Sequence, residues 1–179
     1  MINNNTQKGF TLIELLVVIA IIGLLSSVVV TMIGQGRIKA RDAKRKGDLV
    51  QLQKALELYY NTNSSYPSTS NTWYAATGSC GGSFGYTGAT GYIPNLAPTF
   101  VGYLPADPAP TSAACSGYNY RSDGTYYKII SNSVSGAGGP ETFPSSGQPF
   151  YDAARPTTGW MITNSSANTS TCPSATTCW

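Results

Sequence analysis

The chain has no histidine among its 179 residues, and only 11% of them carry charge. Without an imidazole, neither a Ser/His/Asp nor a Cys/His catalytic set can be assembled, and a mixed cysteine–histidine zinc site is excluded as well. Cysteine is scarce: Cys80, Cys115, Cys172 and Cys178 stand 35, 57 and 6 residues apart, and none of these spacings makes a zinc knuckle. Asp107, Asp123, Glu141 and Asp152 occur singly, so no calcium loop is evident. The net charge of +3 does not mark a nucleic-acid binder, because seven Lys and Arg lie between Arg37 and Lys54 with two Asp among them. The remainder is close to neutral. Such a run beside an apolar segment reads first as a lipid-headgroup contact or a solvated helix face. DNA is a candidate partner with no further support in the sequence.

What is abundant is hydrocarbon at one end. Residues 10–33 contain a single charge, Glu14, in a run that begins Phe10-Thr11-Leu12-Ile13-Glu14-Leu15-Leu16-Val17-Val18-Ile19. About sixteen strongly apolar residues at roughly 0.3–0.6 kcal/mol each favour insertion by on the order of 5–10 kcal/mol. One carboxylate costs about 3 kcal/mol at a helix centre and less near an end. The segment therefore enters a membrane despite Glu14. A carboxylate there is either an interfacial residue or one awaiting a positive group. A cleaved secretory signal is the competing reading of the same stretch. Against it, the apolar block exceeds the usual length and the only approximation to a cleavage site, Gly34-Gln35-Gly36, lies beyond the whole anchor.

The run Lys8-Gly9-Phe10-Thr11-Leu12-Ile13-Glu14-Leu15-Leu16-Val17-Val18-Ile19-Ala20-Ile21-Ile22-Gly23 closely resembles the class III signal of type IV pilins and type II secretion pseudopilins. That resemblance implies a prepilin peptidase that cuts between Gly9 and Phe10 and N-methylates Phe10. It implies that Glu14 acts in assembly, and that a separate cytoplasmic ATPase drives polymerisation of identical subunits. It also implies a single-pass precursor in the inner membrane with its N-terminus inside. The positive-inside rule applied to the basic run alone gives the opposite orientation; a peptidase-accessible leader and oxidised cysteines favour the first. Many family members place a proline where this chain has Thr31; Gly34 and Gly36 offer a flexible point instead, each weakening the helix by about 1 kcal/mol relative to alanine. The spacing has a physical reading. Cleavage creates an amine at Phe10 one helical turn from Glu14, and a buried pair of that kind can fix the register of packed helices.

No proline interrupts residues 37–60, and Leu49, Leu52, Leu56 and Tyr59 recur at helical spacing, with Lys46, Asp48, Gln51, Lys54 and Glu57 on the other face. The helix is expected to end at Asn61, before the polar run that leads to Pro67. Residues 68–117 read as an irregular connection with at most a short helix or strand. Tyr118-Asn119-Tyr120-Arg121 and Tyr126-Tyr127-Lys128-Ile129-Ile130 flank Asp123-Gly124, a hairpin signal. Ser133 to Pro149 reads as a loop, and Trp160-Met161-Ile162-Thr163 as a further strand. The three Asn-x-Ser/Thr matches at Asn63, Asn164 and Asn168 are expected by chance in so hydroxyl-rich a chain. The expected fold is α+β and pilin-like: a long N-terminal helix packed on a small antiparallel sheet. Its parts are a leader at 1–9, a membrane and assembly segment at 10–36, an amphipathic segment at 37–61 and a disulfide-stabilised β-rich domain at 62–179.

The function expected from this reading is structural, with no enzyme activity, cofactor or metal. A type IV pilus subunit comes first, a major pseudopilin of type II secretion second. A minor tip subunit that binds DNA or a surface is the alternative of another class. Three disulfide pairings exist for four cysteines. Cys80–Cys115 and Cys172–Cys178 are favoured because each closes a sequence-local loop, together constraining the unfolded chain by roughly 4 and 2.5 kcal/mol. Non-reducing peptide mapping should find those two pairs; four alkylatable thiols in protein from intact cells would overturn both the pairing and an exported domain.

Overall fold

The computed structural model describes residues 9–76, 84–109, 115–133 and 139–164, without the side chains of 30–32. A helix, α1, spans Leu12–Asn63. It ends two residues beyond the expected Asn61, where Asn63 donates its side-chain amide to the Tyr59 carbonyl at 2.9 Å. Packing divides the chain into two units, Met1–Ile38 and Lys39–Trp179. The first contributes the apolar part of α1. The second contains the rest of α1 and four strands: β1 (Tyr74–Ala75), β2 (Gly117–Ser122), β3 (Tyr127–Asn132) and β4 (Gly159–Thr163). The sheet runs β1-β2-β3-β4 and every neighbouring pair is antiparallel. The α+β architecture expected from the sequence is the one observed.

The hairpin forms where Asp123-Gly124 announces it. Ser122 pairs with Tyr127, and the intervening residues 123–126 make the turn. Asp123 Oδ1 accepts the amides of Thr125 and Tyr126, both at 2.8 Å. Gly124 adopts φ +99°, a conformation that side chains disfavour. The irregular segment before β2 contributes more than expected. Besides β1 it carries a 3₁₀ turn at Gly88–Thr90, and it delivers Tyr92, Ile93, Leu96, Ala97, Val101 and Leu104 to the core. There they meet Leu49, Leu52, Ala55 and Leu56 of α1 and Tyr118, Tyr120, Tyr127, Ile129 and Trp160 of the sheet. The helical spacing read from the sequence thus marks the face that α1 buries. Burial pushes the hydroxyls of Tyr118, Tyr120 and Tyr127 above their usual range.

Every residue of β2 and β3 is buried, so the sheet has no plain solvent face. Alternation puts Tyr118, Tyr120, Tyr127 and Ile129 towards the core and Arg121 and Lys128, direct cross-strand partners, on the opposite face. A polar layer covers that second face. Asp152 lies 3.7 Å from Lys128 and 3.1 Å from Arg155. The guanidiniums of Arg121 and Arg155 sit 5.8 and 5.7 Å from the Trp73 ring centre, within cation–π range. Asn71 accepts a short hydrogen bond from Arg121.

Burial drives the Lys128 ammonium down from its ordinary 10.5 to about 8, the attraction of Asp152 offsetting only part of the desolvation. Between those values the unfolded chain keeps a proton that the folded chain has released, so this group's contribution to stability rises with pH across that window. Below pH 8 its full penalty applies. The stability of the parent relative to Lys128→Met is therefore expected to rise by about 1–3 kcal/mol between pH 8 and 10.5. Denaturant melts of both chains at the two ends of that window measure it; an unchanged difference would show that Lys128 is not held in this way.

Candidate assembly site

The described side chains of residues 10–29 face outwards all around the helix: Phe10 is 88% exposed, Leu24 71%, and Val18, the least exposed of the large apolar ones there, 47%. This is the one stretch among the described residues long and apolar enough to cross a membrane, with a mean hydropathy of 2.9 and none of it buried within the chain. An all-round apolar helix of this kind is solvated by lipid or by other helices.

Glu14 is already engaged at the start of that helix. Thr11 N–H and Thr11 Oγ1–H both donate to Glu14 Oε2, at 2.8 and 2.7 Å. In return Thr11 Oγ1 accepts the Glu14 amide at 3.3 Å, and the first helical bond runs from Leu15 N–H to the Thr11 carbonyl, also at 3.3 Å. This is a reciprocal capping box: a threonine at the N-cap and a glutamate three residues later satisfy each other's free backbone donors. A cap is worth about 1 kcal/mol, and the acid also lies at the positive end of the helix dipole. Reading Glu14 only as a misplaced membrane charge overlooks this, although the Thr11-x-x-Glu14 pattern is a recognisable helix-start signal. Hydrogen bonds from neutral donors stabilise the carboxylate without cancelling its charge. Both partners lie beyond the Gly9–Phe10 junction, so the box survives a cut there, and Gly9 itself is exposed.

The basic run is less available than its sequence suggests. Arg45 is completely buried. It grips Asp107 with two hydrogen bonds, 2.9 Å from Nε and 2.8 Å from Nη2, and Asp42 at 2.8 Å from Nη1. Asp42 in turn accepts the amides of Glu141 and Thr142 at 3.1 and 2.8 Å and the Thr142 hydroxyl at 2.6 Å. Arg41 makes a forked pair with Glu141, at 2.5 and 2.7 Å. Lys44 reaches Asp48 at 3.1 Å, whose carboxylate also accepts the Tyr118 hydroxyl at 2.8 Å. Asp107 and Glu141, isolated in sequence, thus converge on α1 and are taken by arginine. No group of metal-ligating side chains occurs among the described residues. With Arg45 internal and Arg41 and Lys44 paired, the run presents chiefly Arg37, Lys39, Lys46 and Lys54 to the outside.

Cys115 is disulfide-bonded. Cys80, Cys172 and Cys178 lie outside the described residues, and with them the partner of Cys115 and the expected Cys172–Cys178 pair.

The profile described as "Prokaryotic N-terminal methylation motif" matches residues 4–30. Among curated proteins the chain is similar to the type II secretion system core protein G of several bacteria. It is 46% identical over 63 residues to that of Pectobacterium carotovorum subsp. carotovorum, covering 35% of this chain and 40% of the relative. For Klebsiella pneumoniae the identity is 48% over 63 residues, 35% of this chain and 45% of the relative. For Escherichia coli (strain K12) it is 46% over 63 residues, 35% and 43%. The chain thus spans less than half the length of the curated relatives it matches. No solved structure matches. The methylation motif at the head of an apolar helix, and relatives that share one secretion-protein name, support the type IV pilin and type II secretion pseudopilin family for the N-terminal third of the chain.

Proposed function

We propose that the chain is a pseudopilin of a type II secretion apparatus, a structural subunit rather than an enzyme. The observation that carries this choice over a type IV pilus subunit is that the relatives reported above are named as secretion core proteins. The pilus reading uses the same signal and helix, and from the sequence alone it stood first. A tip subunit binding DNA draws less support, because Arg45 is buried and Arg41 and Lys44 are engaged internally.

In this reading the precursor sits in the inner membrane by the apolar part of α1, with its N-terminus inside. The peptidase cuts between Gly9 and Phe10 and methylates the new amine. The subunit then leaves the lipid for a homopolymer whose core is made of such helices, driven by the secretion machinery and its cytoplasmic ATPase. Leaving hydrocarbon for a helix bundle preserves the apolar surroundings of residues 10–33, so the transfer itself asks little of the hydrophobic effect. Direction and register must come from polar groups. Glu14 supplies the acceptor: its charge, held by Thr11 but not neutralised, takes the Phe10 amine of a neighbouring chain.

Two measurements test this. Deleting the gene should leave a folded export substrate trapped in the cell envelope while surface pili persist; normal export with lost pili would restore the pilus reading. Mass spectrometry of the mature protein should show a chain beginning at Phe10 and one methyl group heavier, and Gly9→Val should leave the precursor uncut. A mature chain that retains Met1 would rule out the processing step.

A further inference from the structure

The second unit has unlike ends. Among the described residues its exposed charges that make no ion pair are Lys39, Lys46 and Lys54 along α1, then Glu57 near the end of the helix and Asp123 in the hairpin turn. Tyr66 N–H donates to the Gly124 carbonyl at 2.8 Å, fastening that turn just beyond the end of α1 at Asn63. Lys46 lies seventeen residues before Asn63, about 25 Å along the helix axis. Basic and acidic groups are therefore segregated along the direction of α1.

Each end also has a shape. Beside Lys46 opens a cleft of about 400 Å³ lined by Lys46, Thr142, Phe143, Pro149, Phe150 and Trp160. Trp160 is wholly buried and donates its indole N–H to the Thr142 carbonyl at 2.8 Å. Lys46 Nζ stands 5.0 Å from the centre of its ring, and Phe143 remains 38% exposed. This is an apolar, aromatic cleft with one ammonium at its rim. At the other end the 123–126 turn presents an exposed carboxylate, Asp123, and an exposed ring, Tyr126, at 47%. Asp123 Oδ1 braces the turn through two backbone amides, so the knob is rigid before it meets anything.

We propose that the 123–126 turn of one copy seats in the cleft of Lys46, Phe143 and Phe150 of the next, with Tyr126 against those two rings and Asp123 on the Lys46 ammonium. The occupant is a second copy of this chain, because the acid and ring the cleft asks for are those the other end displays. The contact is heterologous, knob to cleft, and between parallel copies it propagates an open filament instead of closing a dimer. Copies so joined are displaced by about 25 Å along the helix axis. Burying the two aromatic surfaces supplies the attraction, while the Lys46–Asp123 pair selects the register, as charges at an interface do. The proposal rests on the filament reading above and adds a contact between globular units to the contact between apolar helices.

Zero-length carbodiimide coupling of filaments assembled from an equal mixture of ¹⁴N- and ¹⁵N-labelled chains tests it. The expected product is an amide between Lys46 and Asp123 that appears in mixed-isotope form, since within one copy the two groups are too far apart to couple. Lys46→Glu and Asp123→Lys should each lower the polymerised fraction about tenfold by setting like charges against each other, and the double exchange should restore it. Asp123→Asn, which can still brace the turn, should assemble at an intermediate level. Normal assembly of all the variants without the mixed amide would overturn the contact and leave the filament reading intact. A parent chain that forms no polymer in secreting cells would overturn the filament reading, and this contact with it.

Discussion

A carboxylate at the head of a lipid-soluble helix is the constraint on which the rest of this chain depends. Around residues 10–33 there is no polar face for Glu14 to use, so its stabilisation must come from the helix end itself. Thr11 provides it through two hydrogen bonds to one oxygen. The box reconciles two demands. On the proposed reading it would let a precursor rest in a membrane without a partner, and would leave the negative charge in place for an amine created by processing. A protonated or neutral residue would insert more easily but would offer no charge for the proposed assembly contact. Buried ion pairs commonly add little net stability and contribute specificity; in a bundle of near-featureless apolar helices, specificity is what is missing.

The second half of α1 meets a different solvent and solves a different problem. Leu49, Leu52 and Leu56 give it a dry face, yet its position along its own axis needs a directional contact. Arg45 supplies one, held by Asp42 of its own helix and by both oxygens of Asp107 from the segment before β2. Asp42 extends the grip to the backbone at 141 and 142. Removing both aspartates would strand a buried cation, a loss on the order of 3–5 kcal/mol. The helix is thus locked to two loops, and the one at 141 and 142 continues into the cleft around Phe143 and Trp160. Polymer contacts at that cleft would pull on an element fixed at several points, not on a free loop.

Much of this was legible in the sequence wherever the signal was local. The apolar run, the leucine spacing of α1, the Asp123-Gly124 turn and the strand at Trp160 each depend on neighbours a few residues away, and each is where it was expected. β1 escaped because two residues carry no period. The core residues from Tyr92 to Leu104 escaped because they are held by turns and not by a regular element, so their burial has no rhythm to read. The convergence of Asp107 and Glu141 on α1 joins residues 62 and 100 positions apart, and only the fold reveals it. That convergence also explains why a basic run that reads as a surface feature is partly interior. The capping box was legible and overlooked: one residue, Glu14, carried two signals, and the rarer drew the attention.

The central claim is that Glu14 acts in assembly through its charge and not merely as a cap. Glutamine separates the two, because it can serve as the third residue of a capping box but cannot neutralise an amine. Parent, Glu14→Gln and Glu14→Val chains, each co-expressed with tagged parent, should be compared for their share of the membrane fraction and of sheared filaments. The account predicts that all three insert and are cut at Gly9, and that both variants are depleted from filaments to a similar degree. Glutamine chains that enter filaments as readily as the parent would show that Glu14 only starts the helix.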